Sequence, residues 1–189
     1  MATARKMTRK KQMQERGGFT IIEVVLVLAI AGLIFLMVFI ALPALQRSQR
    51  DTQRRNDLGR MTSAIQQYQT NNNGKLPADG KLDPTENSAL PTCSTTSATG
   101  SAACFVTNYM NGVNATENEF FDPDGWYYGL TIEDMTSGQT ESLSEFDHIV
   151  YMFKHARCEG ETAVFSNNSR DYAIMYKLEG AGTYCSNNQ

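Results

Sequence analysis

"RGGFTIIEVVLVLAIAGLIFLMVFIAL", residues Arg16 to Leu42, decides how this chain is read. Two glycines open an apolar run, and one carboxylate, Glu23, interrupts it near its start. From Val24 to Leu42, nineteen residues carry no charge, enough at 1.5 Å each to cross about 28 Å of hydrocarbon as a helix. The run is therefore a membrane-spanning candidate. A lone carboxylate in lipid is expensive, so Glu23 calls for a partner or an escape to the interface.

Outward from this run the charge changes sign. Residues 1 to 18 hold six basic groups against Glu15, residues 19 to 42 hold only Glu23, and residues 43 to 60 hold five arginines against Asp51 and Asp57. From Met61 onward, six basic groups face sixteen acids, so the overall charge of -3 resolves into +5, -1, +3 and -10 along the chain. Such blocks describe a chain that meets different surroundings along its length. The basic cluster before the apolar run keeps the N-terminus in the cytoplasm by the positive-inside rule and sends everything after Leu42 outside. A secretory signal fits poorly: its apolar core is about 7 to 15 residues long and ends at a small-residue cleavage site, and here the run is longer without such a site.

The four cysteines, Cys93, Cys104, Cys158 and Cys185, all fall on the expected external side, where disulfides persist. Three pairings are open, and the sequence-local one, Cys93 with Cys104 and Cys158 with Cys185, is preferred. A zinc site competes, but there is no C-x-x-C and the chain has two histidines.

Beyond Leu42, helix formers continue as far as "NNNG", Asn71 to Gly74. Leu58, Met61, Ile65 and Tyr68 step by three, four and three, which puts them on one face. The far half of a long helix thus has a stripe to bury, whereas the near half is apolar all round. Pro43 removes a helix donor and Gly32 weakens the apolar half, so these are the expected bending points. Residues 75 to 145 read as a long connection of turn formers and short aromatic runs. "FDHIVYMFKHARC", "ETAVF" and "DYAIMYKLEG" then read as strands, giving a small antiparallel meander. The fold class is α+β: a long N-terminal helix, transmembrane in its first half, whose second half packs on a small antiparallel sheet. Four segments follow: 1-18 a basic leader, 19-42 the membrane helix, 43-74 its amphipathic continuation, and 75-189 an external head.

The opening stretch resembles the class III signal of type IV prepilins: a basic leader ending in glycine, Phe19 to start the mature chain, and Glu23 four residues beyond. The motif covers about Arg16 to Leu42. A helix running into a sheet, with a cysteine-bounded loop from Cys158 to Cys185, resembles pilin heads more loosely. The resemblance implies the type IV pilin fold, cleavage between Gly18 and Phe19 by a membrane prepilin peptidase, and N-methylation of Phe19. It implies polymerisation into a homo-oligomeric helical filament, apolar helices inside, built with an assembly platform and ATPases. It places the subunit in the inner or cytoplasmic membrane before assembly and on the cell surface afterwards, serving adhesion, twitching motility or DNA uptake. In a staggered bundle, the freed Phe19 amine of one subunit would neutralise Glu23 of the next, and a misregistered subunit would not, so the pair would set register.

Two other functions stay open. "DPDGWYYGL", Asp122 to Leu130, resembles the D-P-x-G-x-x-Y region of major pseudopilins and so keeps a secretion or competence fibre in view. A membrane-anchored binding protein that never polymerises is the third reading.

Other residue clusters carry weaker expectations. Asp122 and Asp124, with Gly125 and upstream Glu117 and Glu119, could offer oxygens to Ca²⁺, but the run is no EF-hand, and an Asp-Pro-Asp-Gly turn directing Phe121 and Trp126 or Tyr127 toward the core is preferred. His148 and His155 are seven apart and, in one strand, would point to opposite faces. No nucleophile elbow, metalloprotease helix or phosphate loop is present, so neither an enzyme nor a cofactor is expected. Arg47, Arg50 and Arg54 share a helical face and invite a nucleic-acid reading, yet the acidic head argues against direct nucleic-acid contact. Lipid headgroups, or acids of neighbouring heads such as Glu133, Asp134 and Asp147, are the expected partners.

Overall fold

In a computed structural model of the protein, the apolar run and the polar stretch after it form one helix, α1 (Ile21–Asn71). The structure describes residues 18–83, 85–86, 93, 98–110, 121–180 and 182–188. The leader up to Gly17 therefore lies outside the described residues, as do Glu117 and Glu119. The chain divides into two units, Met1–Pro43 and Ala44–Gln189.

In the first unit α1 is apolar on every side, and Val24, Phe35 and Phe39 are all exposed. Its apolar window is long enough to cross a membrane and none of it is buried. The helix passes through Gly32 and Pro43 without a break. It starts at a capping box: the Thr20 N–H and hydroxyl both donate to Oε2 of Glu23, at 3.0 and 2.9 Å.

The second unit begins with the rest of α1 and continues as β1 (Gly80–Leu82), β2 (Thr85–Glu86), α2 (Ala98–Phe105), β3 (Trp126–Tyr127), β4 (Gly129–Asp134), β5 (Thr140–Ser142), β6 (Ile149–Lys154), β7 (Ala156–Glu159), β8 (Thr162–Phe165), β9 (Tyr172–Lys177) and β10 (Thr183–Asn187). A π-helical turn, Val106–Met110, extends α2. The main sheet has the order β1-β4-β6-β9-β10, a second sheet runs β5-β8-β7, and β2 pairs with β3.

The α+β layout is the one expected, with a long helix stripe buried against a sheet. Leu58, Met61 and Ile65 are essentially inaccessible, while Tyr68 packs at the edge of the same core. They meet Leu130 and Ile132 of β4, Val150 and Met152 of β6, and Ile174 of β9. Burying each such side chain contributes about 1.5–3 kcal/mol.

The sheet departs from a simple meander in three ways. First, β4 and β6 are parallel, with Leu130 opposite Val150 and Ile132 opposite Met152. Second, the segment read as a connection supplies two of the five main strands, β1 and β4. Third, "FDHIVYMFKHARC" is two strands: His155 has φ +52°, which ends β6 and starts β7 in the other sheet. The reason is burial on both faces. Phe153, Ala173 and Met175 point away from the helix and pack with Ala156 of β7 and Ala163 of β8, so the small sheet covers the large one.

Two disulfides close the sequence-local pairs, Cys93–Cys104 and Cys158–Cys185. The second joins β7 to β10, the edge strand of the main sheet, and so ties the two layers together.

Candidate assembly site and buried arginine cluster

The residues singled out at the N-terminal end stand where the alphabet of the helix puts them. Gly18 and Phe19 precede α1 and are exposed, and Phe19 is 88% accessible. Glu23 sits in the first turn, its carboxylate held by Thr20 three residues earlier. This is a satisfied position within a single chain. The signal was the T-x-x-E spacing, which sequence reading missed because it looked outside the chain for the partner. The box uses Oε2, and no hydrogen bond among the described residues uses Oε1.

Of the arginines just past Pro43, Arg54 is a correction. Arg54 does not face lipid or a neighbouring head; it is wholly buried. Its five N–H directions, in the fork characteristic of guanidinium, are met by four carboxylates. Nε and Nη2 donate to the two oxygens of Asp122 at 2.8 and 2.7 Å, Nη2 also reaches Asp124 at 3.3 Å, and Nη1 donates to Asp51 at 3.1 Å and Glu179 at 3.2 Å. The guanidinium lies 4.7 Å from the ring centre of Phe146. Arg50 binds Glu179 through Nε at 2.9 Å and through Nη2, and Arg47 approaches the same carboxylate at 3.6 Å.

Local structure prepares each acid. Asp122 opens the turn expected at Asp-Pro-Asp-Gly: Gly125 donates to the Asp122 carbonyl at 3.0 Å, and the Asp124 N–H to Oδ1 of Asp122 at 3.1 Å. Phe121, Trp126 and Tyr127 remain partly exposed, however, so the turn does not bury them. It buries Asp122 and Tyr128 instead. Asp51 accepts the N–H groups of Glu179 and Gly180, both at 3.0 Å, and so holds the turn between β9 and β10 against the helix. That turn needs glycine at Gly182, where φ is +76° and a Cβ would sit 2.5 Å from Oε1 of Glu161.

The charge balance follows from this packing. Burial alone would lower the Arg54 pKa, but the hydrogen bonds and charge of Asp122 raise it, so the cation is secure. Burial works against the Asp122 carboxylate too, yet Arg54 holds it below the usual aspartate range. Asp124 is pushed up, first by burial and then by its neighbour Asp122. Asp57, hydrogen-bonded by the Tyr128 hydroxyl at 3.2 Å, is also pushed up by burial. Glu179 is lowered, chiefly by its bond from Arg50.

Asp122, Asp124 and His148 lie close enough together to hold a cation, with candidate ligand atoms within 4.8 Å. The chemistry of the donor set is against it. Both oxygens of Asp122 already accept two bonds each, from Arg54 twice, the Asp124 N–H and the Tyr176 hydroxyl at 2.8 Å. A metal ion would have to displace a buried guanidinium. His148 is stacked on Trp126 with its ring centre 5.3 Å away, and its Nδ1 is 3.4 Å from Asp124 without hydrogen-bond alignment. His148 and His155 do not share a strand: they flank β6, both with positive φ, and each stands by a different acid, Asp124 and Asp134.

Of the acids expected to receive these arginines from a neighbour, Asp134 is already paired with Lys154 at 2.9 Å, and Asp147 accepts from the Tyr151 hydroxyl at 2.7 Å. Only Glu133 is exposed without such a bond among the described residues. Comparison with family models, curated proteins and solved structures gives no match to this chain.

Proposed function

We propose that this chain is a structural subunit of a filament of the type IV pilin kind, cut between Gly18 and Phe19 and polymerised through the apolar half of α1. The observation that carries the reading is that half-helix itself. It is exposed on all sides, follows directly on a glycine-phenylalanine junction, and carries its single charge four residues beyond Phe19. A helix that is apolar all round must be surrounded by lipid or by other such helices. A subunit that exchanges one for the other meets this demand in both its states. The head supports the reading: two disulfides close it, and Arg54 is saturated by acids of the same unit.

The function is non-enzymatic and uses no cofactor, and its partners are copies of itself, the peptidase, and the platform and ATPases that build the filament. The free Phe19 amine made by cleavage would join Oε1 of Glu23 in a neighbouring subunit, while Oε2 keeps its bonds to Thr20. In this form Glu23 holds the helix start in the monomer and sets register in the polymer.

Mass spectrometry of sheared surface fibres tests the proposal. Peptides beginning at a methylated Phe19 are expected. A chain found only in the membrane fraction and intact from Met1 would overturn it in favour of a monomeric anchor. A second reading, a pseudopilin in a secretion or competence machine, is favoured by "DPDGWYYGL", whose Asp122 is the buried anchor of the head. Processed subunits that never appear in sheared surface material, together with loss of protein export on deletion, would select it.

A further inference from the structure

The acidic head contains one place where its few cations converge. Of the six basic residues after Met61, three, Lys75, Lys154 and Arg170, line a single groove of about 460 Å³ where α1 ends, together with His155, Asp134 and Leu76. A groove of this volume is in the range of small-ligand sites.

The groove is shaped rather than accidental. Asn73 and Gly74 both have positive φ, and the Gly74 N–H closes the helix by donating to the Gln69 carbonyl at 2.7 Å. A Cβ at Gly74 would lie 3.0 Å from Nε of Arg170, so the bare glycine makes room for the guanidinium. The Arg170 backbone is fixed from three directions: its carbonyl accepts from Gln69 at 3.1 Å and Asn188 at 3.0 Å, and its N–H donates to Asn168 at 3.2 Å. The guanidinium itself has no acidic partner among the described residues, and neither has the Lys75 ammonium. On the far wall Lys154 binds Asp79 at 2.7 Å and Asp134 at 2.9 Å, and Nδ1 of His155 is 2.8 Å from Asp134. His155 is held in a left-handed conformation to stand there, a cost the packing must supply.

We propose that this groove binds a small monoanion of the sugar-acid class, with Arg170 and Lys75 receiving its carboxylate. Charge selects the class. Lys75, Lys154 and Arg170 face Asp134 in the lining and Asp79 beside it, which leaves one positive charge with His155 neutral. That excess suits a single carboxylate and disfavours a phosphate dianion, which Asp134 repels. Asp134, whose two oxygens each meet one side chain, Lys154 and His155, keeps acceptor capacity for hydroxyls, and partly buried Leu76 offers an apolar surface to a ring face. Guanidinium is the side chain best suited to take a carboxylate through two parallel bonds. The site does not depend on the filament reading, because it lies wholly within the second unit.

Isothermal titration of the full chain in detergent at low salt, with glucuronate, glucose and inorganic phosphate as probes, tests the proposal. Saturable glucuronate binding is expected, weakened about tenfold or more in Arg170→Gln, and also reduced in Lys75→Gln, with unchanged melting temperatures because neither side chain is buried. Glucose should not bind. Absence of saturable glucuronate binding, binding by both variants as tight as by the unaltered chain, or equal binding of glucose would overturn it. Phosphate binding that depends on Arg170, in the absence of glucuronate binding, would also overturn the sugar-acid assignment and make this a phosphate site.

Discussion

Glu23 and Arg54 are both charges in places that should expel them, and the two units of the chain treat them differently. Glu23 lies in an apolar helix and is satisfied by one residue three positions away. Arg54 lies in a packed head and is satisfied by four acids, three of them from segments 68 or more residues away. The first arrangement is local and leaves bonding capacity over; the second uses every donor. A charge with capacity left is suited to meet another molecule, while a saturated one is suited to fix a fold. On the filament proposal, assembly belongs to the first unit, while the saturated cluster gives the second its integrity.

Replacing Glu23 should separate the two roles most sharply. Glu23→Val is expected to leave the head's thermal transition unchanged and to reduce sheared filament to background. Filaments at normal yield would break the assignment of assembly to this residue.

The reverse experiment is Arg54→Met. Removing one partner of a buried, hydrogen-bonded ion group costs about 3–5 kcal/mol, because Asp122 and Asp51 are left without their cation. Urea denaturation of the full chain in detergent should show that loss in the head's transition. A change below about 1 kcal/mol would mean that the cluster is more hydrated than its packing implies.

Acid titration probes the same cluster more gently. Asp122 and Glu179 are held low, so the stability they add is present above the usual carboxylate range and is lost as pH falls through their lowered values. Asp57 and Asp124 are pushed up, so their ionised forms cost stability, and that cost is returned as pH falls through their raised values. The melting temperature should therefore hold or rise slightly between about pH 7 and about pH 4, then fall steeply. Asp124→Asn should flatten the rise. A steady decline from neutrality would contradict the pairing described.

The smallest effect is expected at Thr20. Thr20→Ala removes the cap at a cost of about 1 kcal/mol to the first turn, with Glu23 still present. Amide exchange should speed up at Ile21 to Glu23 while filaments still form. If Thr20→Ala abolished filaments as fully as Glu23→Val, capping alone would explain the carboxylate.

Legibility followed the same division. The stripe Leu58, Met61 and Ile65 could be read because helical periodicity is a local property, and the disulfide pairs could be proposed from spacing alone. Strand β4 was also readable in principle, since Leu130 and Ile132 alternate with Thr131 and Glu133. The turn formers that dominate its surroundings mask that signal. The break at His155 had no such signal, because a positive φ at a histidine answers to packing on both sides of the sheet. Nor could the groove at Arg170 be read, since its members lie nearly a hundred residues apart and meet only when α1 ends beside β6.

By itself the sequence determined the long helix, its apolar half, the carboxylate at Glu23, and the charge blocks on either side. These depend on neighbours within a turn or two, where geometry is set by the backbone. Only the tertiary structure decided what Arg54 is. Helical spacing put Arg47, Arg50 and Arg54 on one face, but it could not say whether that face meets water or protein. Acids from the Asp122 turn and from Glu179 arrive there through the fold, and by excluding water they turn an apparent surface cation into the centre of the head.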